Sequence, residues 1–158
     1  MYKQFYPALY ALCRNFFEER HEILSAVNNG MLRVYKNIDQ FDSSKGSLFS
    51  WIYTIVRNAA LSMLRERKTE TKLVYREELD TSASIQPIFK GEMSESFYLL
   101  YQLPPTTRAV CSLFYMEGFS IKDISVALDC KEGTVKWHLN EGRTRLKNIV
   151  SQNSKKSV

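Results

Sequence analysis

The sequence predicts an all-α protein in which two small helical domains are joined by a flexible linker. In two long blocks, apolar residues recur every three or four positions, which is the period of amphipathic helices with one buried face. Residues 69–91 break that period and contain Pro87 and Gly91. We therefore expect domains at residues 1–68 and 92–150, the linker at 69–91 and a polar tail at 151–158.

Three helices are predicted in the first block. Their phases are set by Phe5, Leu9, Leu12, Cys13 and Phe16 in the first, Ile23, Ala26, Val27, Met31, Val34 and Ile38 in the second, and Phe49, Ile52, Val56, Ala59 and Met63 in the third. Gly30 lies inside the second helix, where glycine costs about 1 kcal/mol relative to alanine, so we expect close packing there. Polar residues 39–47 predict a turn, with Ser47 as the N-cap of the third helix.

The second block predicts a helix-turn-helix. Its expected elements are a helix from Glu92 to the prolines at 104 and 105, a helix ending at Gly118, a short helix over residues 121–128 capped by Ser120, and a last helix from about Glu132 to Val150. Asp129 lies in the turn between the last two helices, because aspartate tolerates left-handed backbone better than most residues.

The last predicted helix carries polar side chains suited to a duplex groove. The residues expected to point away from the core are Thr134, Lys136, Trp137, His138, Arg143 and Arg145. Lys136 and Arg143 are seven residues apart, two turns along one face, which suits the phosphates that border a groove. Such cations can also be ordinary solvated surface, but the adjacent turn favours DNA binding.

Composition excludes several classes of protein. The net charge of +5 suggests a polyanionic partner. The longest uncharged runs are too short to span a membrane, and the first residues do not form a secretory signal, so we expect a cytoplasmic protein without membrane insertion. Three separated cysteines without a CxxC pair indicate reduced thiols. We expect no metal, cofactor or small-molecule substrate, and no enzyme, because the motifs supply no nucleophile–base pair, glycine loop or carboxylate pair.

Both blocks contain longer sequence motifs. In the second block these are LPPTTRAV (103–110), YMEGFSIKDI (115–124), EGTVKWHL (132–139) and RTRL (143–146). In the first block they are LRVYKNIDQFD (32–42) and GSLFSWIYTIVRNAA (46–60). The second-block motifs resemble region 4, and the first-block motifs region 2, of the sigma-70 family in its extracytoplasmic function (ECF) branch. The two sets stand in the family's order.

The resemblance implies that residues 1–68 bind core RNA polymerase and open the minus-ten promoter element, and that residues 92–150 read the minus-thirty-five element. Asn58 then occupies the position that recognises a flipped base, and the loop from Phe41 to Ser47 walls its pocket. Trp51 is a strand-separating wedge or stacking surface, or it is packed between helices. The residues left to contact DNA phosphates in this block are Arg57, Arg65, Arg67 and Lys68.

The resemblance also assigns core-polymerase binding to residues 22–35. The residues singled out there are Ser25, Asn28, Asn29 and Arg33, of which Ser25 and Asn29 replace acidic residues common in relatives. In region 4, Trp137 stands where a small serine is common and Glu141 where an arginine often contacts DNA, so we expect a different promoter sequence. An anti-sigma factor is the further expected partner.

Two other functions remain open. Residues 134–139 also resemble the recognition helix of LuxR-type regulators, which do not act by recruitment to core polymerase, although that alternative leaves residues 46–60 unexplained. A degenerate sigma-like scaffold is suggested by Asn28, Asn29 and Glu141.

Overall fold

The computed structural model describes residues 2–70 and 95–156, and its regular elements are all helical, which confirms the predicted fold class. The chain divides into two compact units, Met1–Lys72 and Leu73–Val158. The first contains α1 (Tyr2–Arg14), α2 (Arg20–Lys36), a short 3-10 turn (Ile38–Gln40) and α3 (Leu48–Glu70). The second contains α4 (Glu95–Tyr101), α5 (Pro105–Tyr115), α6 (Ile121–Ala127) and α7 (Glu132–Lys156).

The core of the first unit lies where α2 crosses α3, with α1 packed against both. Its buried side chains include Leu9, Val27, Val34, Ile52 and Val56. A Cβ atom at Gly30 would lie 2.8 Å from the backbone Cα of Val56, so the close packing expected at this glycine is confirmed. Because backbone cannot yield as a side chain can, glycine allows the two helices to approach this closely.

Helix starts follow the predicted capping residues. The backbone N–H of Ser50 donates to Oγ of Ser47 at 3.1 Å, which makes Ser47 the N-cap of α3. Ser120 caps α6 through a capping box, in which the N–H of Asp123 donates to Oγ of Ser120 at 3.0 Å. The N–H of Ser120 donates in return to Oδ2 of Asp123 at 3.1 Å.

The second unit forms the expected helix-turn-helix from α6 and α7. Asp129 has a φ of 50°, so the left-handed residue in the turn is the predicted one. Arg108 is buried, and its guanidinium donates to the carbonyl oxygen of Leu103 at 3.1 Å while lying over the ring of Tyr101. This arginine thereby joins the end of α4 to α5.

Three expectations about element limits change. Helix α7 continues through Lys156, so residues 151–156 of the predicted polar tail are helical. Helix α3 continues to Glu70, two residues into the predicted linker, whereas linker residues 71–91 lie outside the described residues. Ile38, placed by periodicity on the buried face of the second helix, is 39% exposed because α2 ends at Lys36.

No disulfide joins the three cysteines, all of which lie in the described ranges. Cys13 and Cys111 are buried, whereas Cys130 is half-buried in the turn before α7. Burial raises the pKa of the Cys13 thiol to about 12 and that of Cys111 to about 11, so both thiols stay protonated near neutral pH. In the described ranges, no helix is long and apolar enough to cross a membrane, and no cluster of metal-ligating side chains occurs.

Candidate nucleic-acid and polymerase interfaces

A shallow concavity of about 210 Å³ lies at the start of α3. Its lining residues are Phe41, Asp42, Lys45, Gly46, Ser47, Ser50, Trp51 and Thr54. The rings of Phe41 and Trp51 have centroids 5.5 Å apart and are tilted by 54°, so they form one aromatic wall. Both rings are half-buried, which gives Trp51 a packing role and an accessible surface at once.

The loop that borders this concavity is held by local hydrogen bonds. Oδ1 of Asp42 accepts from Oγ of Ser44 at 2.6 Å and from the N–H of Ser44 at 2.9 Å. These hydrogen bonds lower the pKa of Asp42. Oγ of Ser47 donates to Oγ of Ser50 at 2.9 Å. The concavity therefore combines aromatic surface with hydroxyl groups and the exposed Lys45, which together can stack on a base and bond to its edge.

Asn58 follows the concavity on the same face of α3, one turn after Thr54. The side chain of Asn58 is exposed, and the backbone carbonyl oxygen of Asn58 accepts from Oγ of Ser62 at 3.0 Å. The guanidinium of Arg65 donates to the same Ser62 hydroxyl at 3.1 Å, so Asn58, Ser62 and Arg65 form a polar stripe that continues from the concavity.

The remaining arginines expected at this interface are held differently. Arg57 is half-buried and lies one residue, or about 100° of helix rotation, away from Asn58. Arg67 forms an ion pair with Glu22 of α2 at 2.8 Å. The structure thus brings Phe41, Ser47 and Trp51 together in the concavity and places Asn58 and Arg65 beside it, with Arg57 off that face.

The expected polymerase-binding residues share the exposed surface of α2. Ser25, Asn28, Asn29 and Arg33 are all exposed. Oδ1 of Asn28 accepts from the Tyr2 hydroxyl at 3.0 Å, and Nδ2 of Asn29 lies 3.3 Å from Sδ of Met63.

The same surface of α2 also carries apolar side chains that were not among the predicted site residues. Leu32 is 52% exposed and Tyr35 is 55% exposed. Both residues stand out of phase with the buried positions of α2, which is the signal that could have identified them. Exposed apolar side chains beside polar ones are typical of a surface that binds a protein partner.

In the second unit, the outward residues of α7 are not all those that were predicted. Lys136, Trp137 and Arg143 are exposed, and Thr134 is partly exposed. The prediction that His138 points away from the core is wrong. It is buried because it shares a helix face with Val135 and Gly142, and its Nδ1 lies 2.9 Å from Oγ1 of Thr107 on α5.

Two arginines of α7 have protein partners. Nε of Arg145 donates to Oε1 of Glu141 at 2.8 Å, so that cation is paired on its own helix. Nε of Arg143 donates to the hydroxyl of Tyr115 at 2.6 Å, and its guanidinium lies 5.9 Å from the centroid of that ring. Arg143 is therefore anchored to the end of α5 while it remains exposed.

Asn140 is a further candidate for DNA contact that was not among the residues predicted from the sequence. It is exposed, and it lies three residues after Trp137 and four after Lys136 on the same face of α7. That spacing is the sequence signal that could have found it.

Both units are similar to known protein families. A family model described as Sigma-70 region 2 matches residues 1–70, and one described as Sigma-70, region 4 matches residues 98–146. The chain is 27% identical over 132 residues to the ECF RNA polymerase sigma factor EcfG of Rhodopseudomonas palustris, covering 78% of this chain and 68% of that protein. It is 26% identical over 152 residues to the ECF RNA polymerase sigma factor SigW of Bacillus subtilis, covering 88% of this chain and 81% of that protein.

A solved structure has a similar fold. It is the sigma factor RpoE of Bartonella quintana in complex with the anti-sigma factor NepR. The TM-score is 0.55 at 24% sequence identity, with 95% of this chain and 94% of that chain covered.

Proposed function

Since the chain belongs to the ECF branch of the sigma-70 family, we propose that it is an alternative sigma factor that binds core RNA polymerase and directs promoter-specific initiation of transcription. The observation that carries the proposal is the occurrence of both sigma regions in one chain, each in a helical unit with an exposed polar face. A helix-turn-helix by itself would support many kinds of regulator.

In this proposal, residues 1–68 bind core polymerase through the exposed surface of α2. Polar groups on Ser25, Asn28, Asn29 and Arg33 share the exposed surface of α2 with the apolar side chain of Leu32. An apolar centre with a polar rim is the usual composition of a protein interface. The absence of acidic side chains at Ser25 and Asn29 makes the docking less dependent on charge than in relatives that carry acids there.

The same unit opens the minus-ten element. Extruding a base costs a few kcal/mol, and a protein offsets this by stacking and hydrogen bonding to the base. The Phe41–Trp51 wall supplies the aromatic surface, and the hydroxyls of Ser47 and Ser50 supply donors and acceptors. Asn58 adds an amide next to the concavity, and Arg65 extends the face toward phosphates.

Residues 92–150 read the minus-thirty-five element through α7. Lys136 and Arg143 are exposed cations on this helix and are suited to the phosphates of the duplex. Thr134 and Trp137 complete the contact set from the predicted list. His138 is buried against Thr107 and does not itself contact DNA. Arg145 contacts DNA only when its ion pair with Glu141 is broken.

An anti-sigma factor controls the chain in this proposal. The related RpoE of Bartonella quintana was crystallised with the anti-sigma factor NepR. The exposed Leu32 and Tyr35 on α2 give such a protein an apolar surface to cover, and covering it would block polymerase.

Transcription in vitro tests the proposed function. The full chain is mixed with core RNA polymerase and a promoter library, and the transcripts are sequenced. Sequence-dependent transcripts that require the chain support the proposal. Dimeric operator binding without polymerase would instead support a LuxR-type regulator, and the absence of any DNA-directed activity would support a scaffold.

Variants in each unit separate the two DNA-reading roles. Asn58→Ala should shift or abolish minus-ten selectivity while polymerase binding persists, whereas Gln4→Ala, an exposed amide on α1, should leave both unchanged. Equal loss of polymerase binding in Asn58→Ala would show a folding defect instead of a reading defect.

Lys136→Ala should weaken use of the minus-thirty-five element, whereas Lys155→Ala removes the same charge near the end of α7 and should have a smaller effect. An unchanged promoter profile would remove Lys136 from the contact set.

A further inference from the structure

The centre of the exposed face of α7 carries two side chains that can read bases. The buried residues of this helix are Val135, His138, Leu139 and Gly142. Helical periodicity puts Trp137 and Asn140 opposite that buried set. Both lie within about the first two and a half turns of α7, the part of a recognition helix that reaches base edges.

Trp137 is exposed but braced. Its side chain is 58% exposed, and its ring meets the ring of His138 edge-on, with centroids 4.9 Å apart and planes at 83°. His138 is held in turn by its contact with the hydroxyl of Thr107 on α5. The indole therefore projects from α7 in a supported orientation, which reduces the conformational entropy lost when it contacts a partner.

Asn140 has a different support. Its Oδ1 lies 3.5 Å from Nη1 of Arg143, at the outer limit of a hydrogen bond, and Arg143 is anchored by the hydroxyl of Tyr115. A contact this long is readily replaced by a shorter one. An asparagine amide offers one acceptor and two donors, which match N6 and N7 of adenine in the major groove.

The charges around these two side chains favour DNA over an apolar protein partner. Lys136 precedes Trp137, and Arg143 and Lys147 follow Asn140 by three and seven residues, all three being exposed, whereas the nearby carboxylate of Glu141 is paired with Arg145. Cations along one side of a helix that also carries an apolar ring and an amide complement the phosphates that border a major groove. The C5-methyl of thymine is the apolar group that such a ring meets in that groove.

We propose that Trp137 and Asn140 read A·T pairs in the minus-thirty-five element, Trp137 through apolar contact with the thymine methyl and Asn140 through hydrogen bonds to adenine, with His138 as the positioning residue for Trp137. This inference rests on the proposed function, because it requires that α7 contacts promoter DNA. It adds Asn140 to the contact set and assigns a base to each residue.

Modified promoters test the assignment with the full chain bound to core polymerase. The best promoter from the library is remade with deoxyuridine for each thymine of its minus-thirty-five element, which removes only the methyl, or with 7-deazaadenine for each adenine, which removes N7. Loss of one buried methyl contact should lower wild-type transcript yield about fourfold. Loss of one hydrogen bond should lower it about fivefold.

The variants assign each effect to a residue. Trp137→Ala should make yield insensitive to deoxyuridine but leave it sensitive to 7-deazaadenine, and Trp137→Phe should keep part of the methyl effect. Asn140→Ala should show the reverse pattern. Asn148→Ala, an exposed amide eight residues further along α7, is the matched control and should behave as wild type in both tests.

Substitutions at Thr107 test whether the contact between Thr107 and His138 orients Trp137. Thr107→Val removes the hydroxyl near His138 and should reduce the deoxyuridine effect, whereas Thr107→Ser retains the hydroxyl and should preserve it. Thermal melting followed by circular dichroism checks folding. Equal deoxyuridine effects in wild type and in a folded Thr107→Val variant would overturn the positioning role of His138.

The results distinguish this inference from the function on which it rests. If no promoter gives a chain-dependent transcript, the proposed function fails and the inference fails with it. If transcripts form but the selected element has no A·T preference, the inference alone fails. It also fails if the modified bases act equally on wild type and on both the Trp137 and Asn140 variants.

Discussion

A methyl group added at Gly142 would test how closely α7 packs on α5. The Cβ atom of an alanine there would overlap with Sγ of Cys111, and it would lie 3.3 Å from Cγ2 of Thr107 and 3.8 Å from Cδ1 of Leu103. Cys111 and Thr107 are buried, so neither side chain can move into solvent to make room. The helices must separate, or the cysteine must adopt a strained rotamer.

Two opposing effects determine how much Gly142→Ala changes the free energy of unfolding of the second unit. Overpacking a core costs about 1–3 kcal/mol. Alanine is favoured over glycine in a helix interior by about 1 kcal/mol, which offsets part of that cost. Gly142→Ala should therefore lower the free energy of unfolding of the second unit by up to about 2 kcal/mol. In a Cys111→Ala background the overlapping sulfur is absent, so the same change should become neutral or stabilising.

The assay uses the two tryptophans of the chain, Trp51 in the first unit and Trp137 in the second. In a Trp51→Phe background, urea unfolding followed by fluorescence reports the second unit alone. The double-mutant cycle between Gly142→Ala and Cys111→Ala should give a coupling of about 1–3 kcal/mol. Effects that add within about 0.5 kcal/mol would refute the packing argument.

Two further predictions concern charged groups of the second unit. Hydrogen bonds from the side chain and backbone of Ser120 lower the pKa of Asp123 in the folded protein. The ionised carboxylate therefore stabilises the folded state above the unfolded pKa of about 4, and this stabilisation is lost as pH falls through the lowered folded pKa. Acid titration of stability should therefore be steeper for wild type than for Asp123→Asn, and parallel curves would contradict this. Glu141→Gln removes the carboxylate that pairs with Arg145, which leaves this cation available to a DNA phosphate. For duplex binding by the full chain, the slope of log binding constant against log salt concentration should therefore steepen by about 1. An unchanged slope would show that the ion pair with Glu141 does not keep Arg145 from the DNA.

Local sequence patterns were sufficient to predict the helices, two helix caps, the left-handed turn residue and one close-packed glycine. Ser47 and Ser120 cap helices because a hydroxyl can accept from the first N–H groups of a helix whatever the tertiary context. Asp129 takes the left-handed position in the turn for an equally local reason. The packing at Gly30 was anticipated because glycine inside a helix needs a compensating contact.

Predictions of which side chains a helix presents to solvent, and of their partners, were less accurate. His138 was predicted to point away from the core, yet it is buried, and Thr107 provides a partner that makes its burial acceptable. Asn140 was overlooked although it lies on the same exposed face as Trp137. The pairing of Arg145 with Glu141 and of Arg143 with Tyr115 depends on side-chain conformations that no spacing rule specifies.

The sequence by itself determined the helical fold, the order of the two sets of motifs and the helix-turn-helix, because these depend on periodicity, capping and turn residues that act over a few positions. Only the tertiary structure decided which side chains are available to a partner. Phe41 and Trp51 form a wall because the loop before α3 folds back on that helix. Trp137 is braced because α5 supplies the hydroxyl that holds His138. Such contacts join residues distant in the chain, so local sequence patterns do not specify them.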